Sequence, residues 1–383
     1  MVNRIYPPSK GPTGRLLFDL AQYLADEGHV VTVLSADRES RQERKSEDLT
    51  GVKIIRTRGF RNPRAFIPNV LMCLSLFIQM FTLPKPQILI TLSDPPLFFV
   101  LASLYAKIRG VKHVHWCHDL YPDILPGLGY KISSYWQELM QKRANNALRS
   151  CSYVVAISKC MQRRIGQKNV EKSRLKVIEN WFDASLFTHK KAEQLDLPEK
   201  FRVVFSGRLG RAHPITTILS AAKILNENDK DIEFLFMGEG EGYERVARER
   251  ARMGLDNVRL IPYQPHGRYR KIMESGDIHL ISIRPDVVGC LLPSRVYDIF
   301  AIKRPCIFIG PKKCELTTIL EKYQAGLQID QGKGEGLAQA IRQLRDNGEE
   351  WHILQQGSVQ AGQDYTPAAS LEKWQKLITT LCG

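Results

Sequence analysis

VVGCLLPSRVYDIFA, residues 287–301, is the stretch on which the reading of this chain turns. The apolar run before it, IHLISI at 278–283, has the length and composition of a buried strand. Gly289 permits a sharp backbone turn. Pro293-Ser294 then reads as a helix start, with Ser294 as N-cap. Arg295 follows in the first turn, where a cation opposes the helix dipole and so needs another reason to be there. Asp298 lies three residues further, on roughly the same helical face. Strand, glycine turn, capped helix and cation together suit a diphosphate, since free N–H groups and the dipole attract an anion. Asp298 would accept hydrogen bonds from a ribose. The same pattern also describes an ordinary strand–helix junction with a surface arginine, so the rest of the chain decides.

Outward from this stretch, strand-like and helix-like segments alternate. FRVVFSGRLG (201–210) is a strand and a loop with two glycines, and ITTILSAAKIL (215–225) is a helix. IEFLFMGEG (232–240), VRLIPY (258–263) and CIFIG (306–310) are further strands. Residues 1–185 alternate in the same way, with strands at GHVVTVLSA (28–36), VKIIRTR (52–58), PQILITL (86–92), KHVHWC (112–117) and SYVVAIS (152–158). Such alternation predicts parallel, doubly wound sheets. The expected class is α/β, with two Rossmann-like parallel-sheet domains facing a central cleft. Their expected bounds are 1–185 and 186–357, with 358–383 ending in a helix that packs back toward the first domain. Ligands should then gather at the C-terminal ends of the strands. The first half has no Gly-x-Gly-x-x-Gly and is a poor dinucleotide site. MVNRIYPPS reads as the end of a strand and its loop, which suggests a start upstream of the sequence given.

The 383 residues are 43% hydrophobic and 25% charged, as in globular proteins. A net charge of +15 suggests an anionic partner. The positive charge is scattered rather than interleaved with aromatics on one face, which argues against nucleic acid. Eight cysteines form no C-x-x-C pair and read as buried free thiols of a reducing cytosol. Asp229-Lys230-Asp231 has the spacing of metal–nucleotide sites but precedes a strand, at the wrong end for the cleft. It reads as a solvated turn, and no catalytic metal or other cofactor is expected.

Residues 65–82 carry no charge and follow Arg58, Arg61 and Arg64. The run is nearly long enough to span a bilayer. Pro68, Asn69, Ser75 and Gln79 interrupt it, and it lies between two strands of one sheet. It reads as a crossover helix, either buried or partly exposed to lipid. The adjacent arginines would suit anionic headgroups.

Four loops end strands on the cleft side. Gly11-Pro12-Thr13-Gly14-Arg15 permits close backbone approach to a ligand, or is a plain turn. In Ser93-Asp94-Pro95-Pro96, Asp94 is a helix cap or an acceptor-binding carboxylate. In His115-Trp116-Cys117-His118-Asp119, His118 at the strand end is the candidate to hydrogen-bond a sugar hydroxyl or move a proton; His113 and His115 decorate the strand. Residues 206–213 hold Arg208, Arg211 and His213 in a glycine loop before a helix, which suits a diphosphate leaving group. The glycine loop at 238–242 is acidic and would border a nucleoside instead.

Taken together, the chain resembles the glycosyltransferases of family 4, with the GT-B fold, and within them the bacterial transferases of O-antigen, capsule and colanic-acid assembly. The likeness is carried by the N-terminal GPTGR loop, TLSDPPL, HWCHDLYPDILPGLG, VIENWFD, FSGRLGRAH, NVRLIPYQP, DIHLISIRP and LLPSRVYDIFAIKRPCIFIG, in order over nearly the whole chain. It implies a metal-independent, retaining transfer of a hexosyl or N-acetylhexosaminyl group from a nucleotide-sugar donor to a polyprenyl-diphosphate-linked saccharide acceptor. The enzyme would sit peripherally on the cytoplasmic membrane surface, facing the cytoplasm. The donor lies in the C-terminal half and the acceptor in the N-terminal half. Carried over, His118, Arg208 and Arg295 match the catalytic set. Gly14, Arg208, Arg211, His213, Pro293, Ser294 and Arg295 match donor-phosphate positions, Asp298 the ribose carboxylate, and Tyr263 the border of the base. The sequence departs from the family's E-x7-E pattern: Cys290 stands where the first Glu belongs, and Asp replaces the second Glu at 298. An inactive homologue that scaffolds an assembly complex, and a non-hydrolysing UDP-sugar 2-epimerase of the same architecture, are the competing readings.

Overall fold

A computed structural model describes residues 1–9, 11–36, 51–57, 66–184, 198–262, 264 and 266–383. In the first half, seven parallel strands form one sheet. They are β1 (Val2–Asn3), β2 (Val31–Ser35), β3 (Val52–Arg56), β4 (Ile88–Leu92), β5 (Lys112–Cys117), β6 (Tyr153–Ala156) and β7 (Leu175–Val177), in the order β3-β2-β1-β4-β5-β6-β7. In the second half, six parallel strands follow the order β10-β9-β8-β11-β12-β13. They are β8 (Phe201–Arg208), β9 (Ile232–Glu239), β10 (Val258–Pro262), β11 (Ile278–Ser282), β12 (Cys306–Ile309) and β13 (Gly326–Ile329). Both orders reverse direction once, after β1 and β8, and a crevice opens at such a point beyond the strand ends. The central strands, such as ILITL and IHLIS, read as near-continuous apolar runs because helices cover both faces of a parallel sheet.

Helices of the first half are α1 (Pro12–Asp26), α2 (Phe66–Thr82), α3 (Phe98–Arg109), the single turn α4 (Ile124–Gly127), α5 (Ser134–Ser150) and α6 (Lys159–Gly166). Proline opens α1, where its missing N–H costs nothing, and Gly110 in the left-handed region ends α3. The second half contributes α7 (Thr216–Asn228), α8 (Glu241–Met253), α9 (His266–Glu274), α10 (Arg295–Ala301), α11 (Glu315–Tyr323), α12 (Gly334–Asp346) and α13 (Gly348–Asp364). A last helix, α14 (Pro367–Cys382), packs on α1. There Trp374 lies edge-on to Trp116 at 4.8 Å, Trp116 stacks on Trp181 at 5.8 Å, and Lys373 pairs with Glu179 at 2.6 Å. Helix α13 packs instead on α10, α11 and α12, and residues 365–366 link it to α14.

One apolar core runs through both halves: it joins Trp116, Ile124 and Met161 to Val287, Cys290, Tyr297 and Trp374. Helix α2 buries Met72, Leu76 and Met80 and leaves Ile67, Leu71, Leu74 and Ile78 exposed. Leu104 and Ile108 of the neighbouring α3 are exposed too. No helix among the described residues is long and apolar enough to cross a membrane. One expectation holds and one needs correction. His113 and His115 lie in β5 as expected, buried, and share the Thr91 hydroxyl. Asp229 is no solvated turn, because the periodicity of a short loop says nothing of distant arginines: it is buried and paired with Arg342 and Arg345, both at 2.8 Å.

Candidate functional site: the cleft between the two sheets

Gly207, at the end of β8, has φ +113, and its neighbour Gly238 leaves no room for a side chain, since a Cβ there would lie 1.9 Å from the Gly207 carbonyl oxygen. The bare strand ends let the Arg295 guanidinium settle over Gly207, 3.2 Å from where a Cβ would stand. Arg295 donates to the Tyr269 hydroxyl, lies over the Tyr269 ring at 5.3 Å, and pairs with Asp298 at 2.7 Å. The other Asp298 oxygen accepts the Asp183 backbone N–H at 3.0 Å. Burial pushes the Asp298 carboxyl up despite the arginine beside it. Asp298, expected to face a ribose, thus has both oxygens engaged, one by the segment that joins the halves. That segment is residues 180–183 of VIENWFD, whose sequence carries no local signal for holding a carboxylate of the second half.

Residues 180–183 connect the two sides of the cleft. Asp183 forms an ion pair with Arg15 at 3.3 Å, Trp181 donates to Asp19 at 3.0 Å, and Asn180 meets His118 Nδ1 at 3.4 Å. His118 follows β5, its backbone N–H held by the Ser93 hydroxyl at 2.9 Å and its ring tilted on Trp116. Burial drives it down to about 3, so the imidazole is neutral at physiological pH, and its Nε2 is buried without a partner. A neutral ring nitrogen can take or give one hydrogen bond; it cannot supply a fixed positive charge. Beside it, burial and the nearby Asp94 push the Asp119 carboxyl up to about 7. Asp94 itself is no helix cap: it forms a two-pronged ion pair with Arg4, both contacts at 2.7 Å.

The remaining expected residues are dispersed in role. Arg208 is exposed at the end of β8, and its side chain makes no ion pair or hydrogen bond among the described residues, so its charge is available. Arg211 lies 4.9 Å over the ring of Tyr130, which belongs to the opposite half, and 3.5 Å from Glu241. His213 Nδ1 donates to the Ser282 carbonyl at 2.6 Å, which leaves Nε2 as an acceptor; burial lowers its pKa, so it brings no charge to a phosphate. Gly14 makes room for Ile5, which a Cβ would meet at 2.9 Å. Tyr263 lies outside the described residues.

The stretch around Gly289 departs most from expectation. Gly289 does turn at φ +74, but it faces the first half: a Cβ would stand 3.0 Å from the Cys160 carbonyl oxygen of α6. Arg164 donates to the Val288 carbonyl at 2.9 Å, and the Leu120 N–H to the Cys290 carbonyl at 2.7 Å. This glycine serves the approach of two domains rather than a phosphate cradle. Ser294 does not cap α10 either. Its backbone is already helical (φ −61, ψ −16) and its side chain makes no capping bond, whereas a capping residue sits in the extended region. The Val296 N–H bonds back to the Pro293 carbonyl, so the turn begins at Pro293.

Comparison with known proteins agrees with this architecture. The family model for Glycosyltransferase Family 4 matches residues 13–186, and that for Glycosyl transferases group 1 matches residues 187–358. WcaI of Escherichia coli, whose name assigns it as a glycosyl transferase to colanic acid biosynthesis, is 24% identical over 88% of this chain and 89% of its own. WbjE of Pseudomonas aeruginosa, named as a glycosyltransferase, is 23% identical over 78% of this chain and 75% of its own. HepE of Anabaena, solved with UDP-glucose, superposes with a TM-score of 0.74 at 15% identity over 99% of both chains.

Proposed function

This chain belongs to glycosyltransferase family 4, with the GT-B fold, and from that premise we propose that it moves a sugar from a nucleotide diphosphate to a polyprenyl-diphosphate-linked saccharide with retention of anomeric configuration. What supports the reading is a pair of arginines at the bare glycine end of β8: Arg208, its exposed last residue, and Arg295, whose guanidinium lies over Gly207. Negative charge builds on the leaving diphosphate as the glycosidic bond breaks, and fixed cations stabilise it more than they stabilise the bound donor. Arg295 is held in place by Asp298 and Tyr269, so it need not reorganise during the reaction. The acceptor hydroxyl attacks from the face the diphosphate leaves, and a leaving-group oxygen takes its proton. His118, neutral and with a free Nε2, positions a sugar hydroxyl by hydrogen bonding. The exposed apolar face of α2 and α3 would hold the protein to the membrane that carries the lipid acceptor. No step needs a metal.

Turnover of UDP-, GDP-, ADP- and dTDP-sugars with a polyprenyl-diphosphate-sugar acceptor tests this. One donor should be consumed, and the Arg208→Ala/Arg295→Ala variant should lose at least about 100-fold in kcat/KM, the scale of removing one or two such charge contacts. Nucleotide binding with no release from any donor would favour the scaffold reading. Interconversion of the sugar without transfer would favour the epimerase.

A further inference from the structure

A second recess of about 530 Å³ lies between the two halves, apart from the cleft just described. None of Arg208, Arg211, His213, Arg295 or His118 lines it. Its walls carry Arg163, Arg164 and Lys168 from α6 and just beyond, and Lys313 from the segment after β12. Against these four cations stands one lining carboxylate, Asp123. Lys168 pairs with it at 2.6 Å and Arg164 approaches it at 3.7 Å; both Lys168 and Asp123 are about nine-tenths buried. Among the described residues Arg163 donates to the Cys160 sulfur and makes no ion pair, and Lys313 makes no ion pair or hydrogen bond. A concave wall with an excess of three positive charges, two of them on guanidinium forks, matches an anion with several oxygens.

We propose that this recess binds a phosphorylated ligand, a diphosphate, at a site separate from the sugar donor's. The ligand is either the headgroup of a lipid diphosphate or a free soluble diphosphate; the chemistry of recognition is the same. The recess also has a mechanical consequence. Val288 and Gly289 line it, and the loop that holds them continues to Ser294 and Arg295 at the donor cleft. Arg164 already ties the loop to α6 through the Val288 carbonyl. An anion gripped by residues of both halves therefore favours the arrangement in which they are together, and with it the position of Arg295.

Calorimetric titration of the full chain with sodium diphosphate at low salt reads the site without requiring sugar transfer, so its failure is distinguishable from failure of the transferase reading. Binding should persist within about threefold in Arg208→Ala/Arg295→Ala, which disables the donor loops. It should weaken at least tenfold in Arg163→Gln/Lys313→Gln, whose side chains support no packing, and it should weaken with added salt. If the source is a lipid, farnesyl diphosphate in detergent competes with inorganic diphosphate, and the Arg163→Gln/Lys313→Gln variant raises the acceptor KM while leaving the donor KM unchanged. If the source is soluble, added diphosphate alters wild-type turnover and leaves the acceptor KM of the variant unchanged. Equal affinity in Arg163→Gln/Lys313→Gln and wild type, or binding abolished by the donor-site variant, overturns the proposal and leaves a hydrated basic recess.

Discussion

Asp119 and His118 are neighbours in sequence whose burial acts on them with opposite signs. A buried histidine resists gaining charge, and a buried carboxyl resists losing its proton. His113, His115, His118 and His279 are all lowered to about 3. Above the ordinary value of 6.5 they are neutral whether folded or not. Below it only the unfolded chain takes up the protons, so this part of the stability is lost as pH falls from about 6.5 toward 3. Asp119 runs the other way. Unfolded, it ionises near 3.8; folded, it keeps its proton to about 7, so it weakens the fold increasingly between those values. Asp119→Asn removes only that penalty. Its gain in stability should grow from nothing near pH 4 to on the order of 1–3 kcal/mol at pH 8, read from urea midpoints at both values. A gain independent of pH would show that Asp119 titrates as an ordinary carboxyl. The sequence made His118 a candidate because it ends a strand; that its Nε2 is left without a partner depends on Trp116 and Asn180, far apart in the chain.

At the scale of elements, two segments have readings that only their packing separates. The glycine turn before α10 looked like a phosphate loop and is a domain contact. Gly289→Ala places a side chain in the left-handed region and 3.0 Å from the Cys160 carbonyl, which should cost about 1–2 kcal/mol from the backbone conformation alone. Thermal unfolding should show the loss, and limited proteolysis should cut the segment joining the halves faster. Unchanged stability would mean that the loop makes no such approach. Helix α2 was expected to be either buried or partly exposed to lipid, and it is buried on one face only, with Ile67 and Ile78 about two-thirds exposed. Leu74→Glu/Ile78→Glu should leave the melting temperature within about 2 °C, because exposed positions away from packing change stability little. Co-sedimentation with vesicles containing anionic lipid should fall several-fold. Equal sedimentation would remove α2 from the membrane surface. The uncharged run was plain in the sequence; which of its residues face outward follows from the helical period once the sheet is in place.

For the whole molecule, the closing tie is Trp374. It is fully buried, it lies on Trp116 beneath the first sheet, and it comes from a helix that follows the second domain in sequence. Trp374→Ala leaves a cavity at the junction of the halves and should cost ~3–5 kcal/mol. The loss should appear as a lower denaturant midpoint for the first half together with the joining segment, because Trp181 is in the same stack. A loss below 1 kcal/mol would mean that α14 is a loose tail.

The sequence by itself determined the class of this protein. Apolar runs alternating with amphipathic segments leave parallel α/β layers as the economical way to bury both faces, and a string of short motifs in order marks the family. It also determined the residue types at the strand and helix ends, including Arg208 at the end of β8 and Arg295 at the start of α10. Tertiary structure decided their partners. Which way a glycine loop faces, that the Asp183 N–H donates to Asp298, and that Arg211 lies over Tyr130 all depend on contacts between segments a hundred or more residues apart, or across two domains. Local pattern carries periodicity and conformational preference. It carries no information on the distance between two chains of atoms that meet only after both sheets have formed.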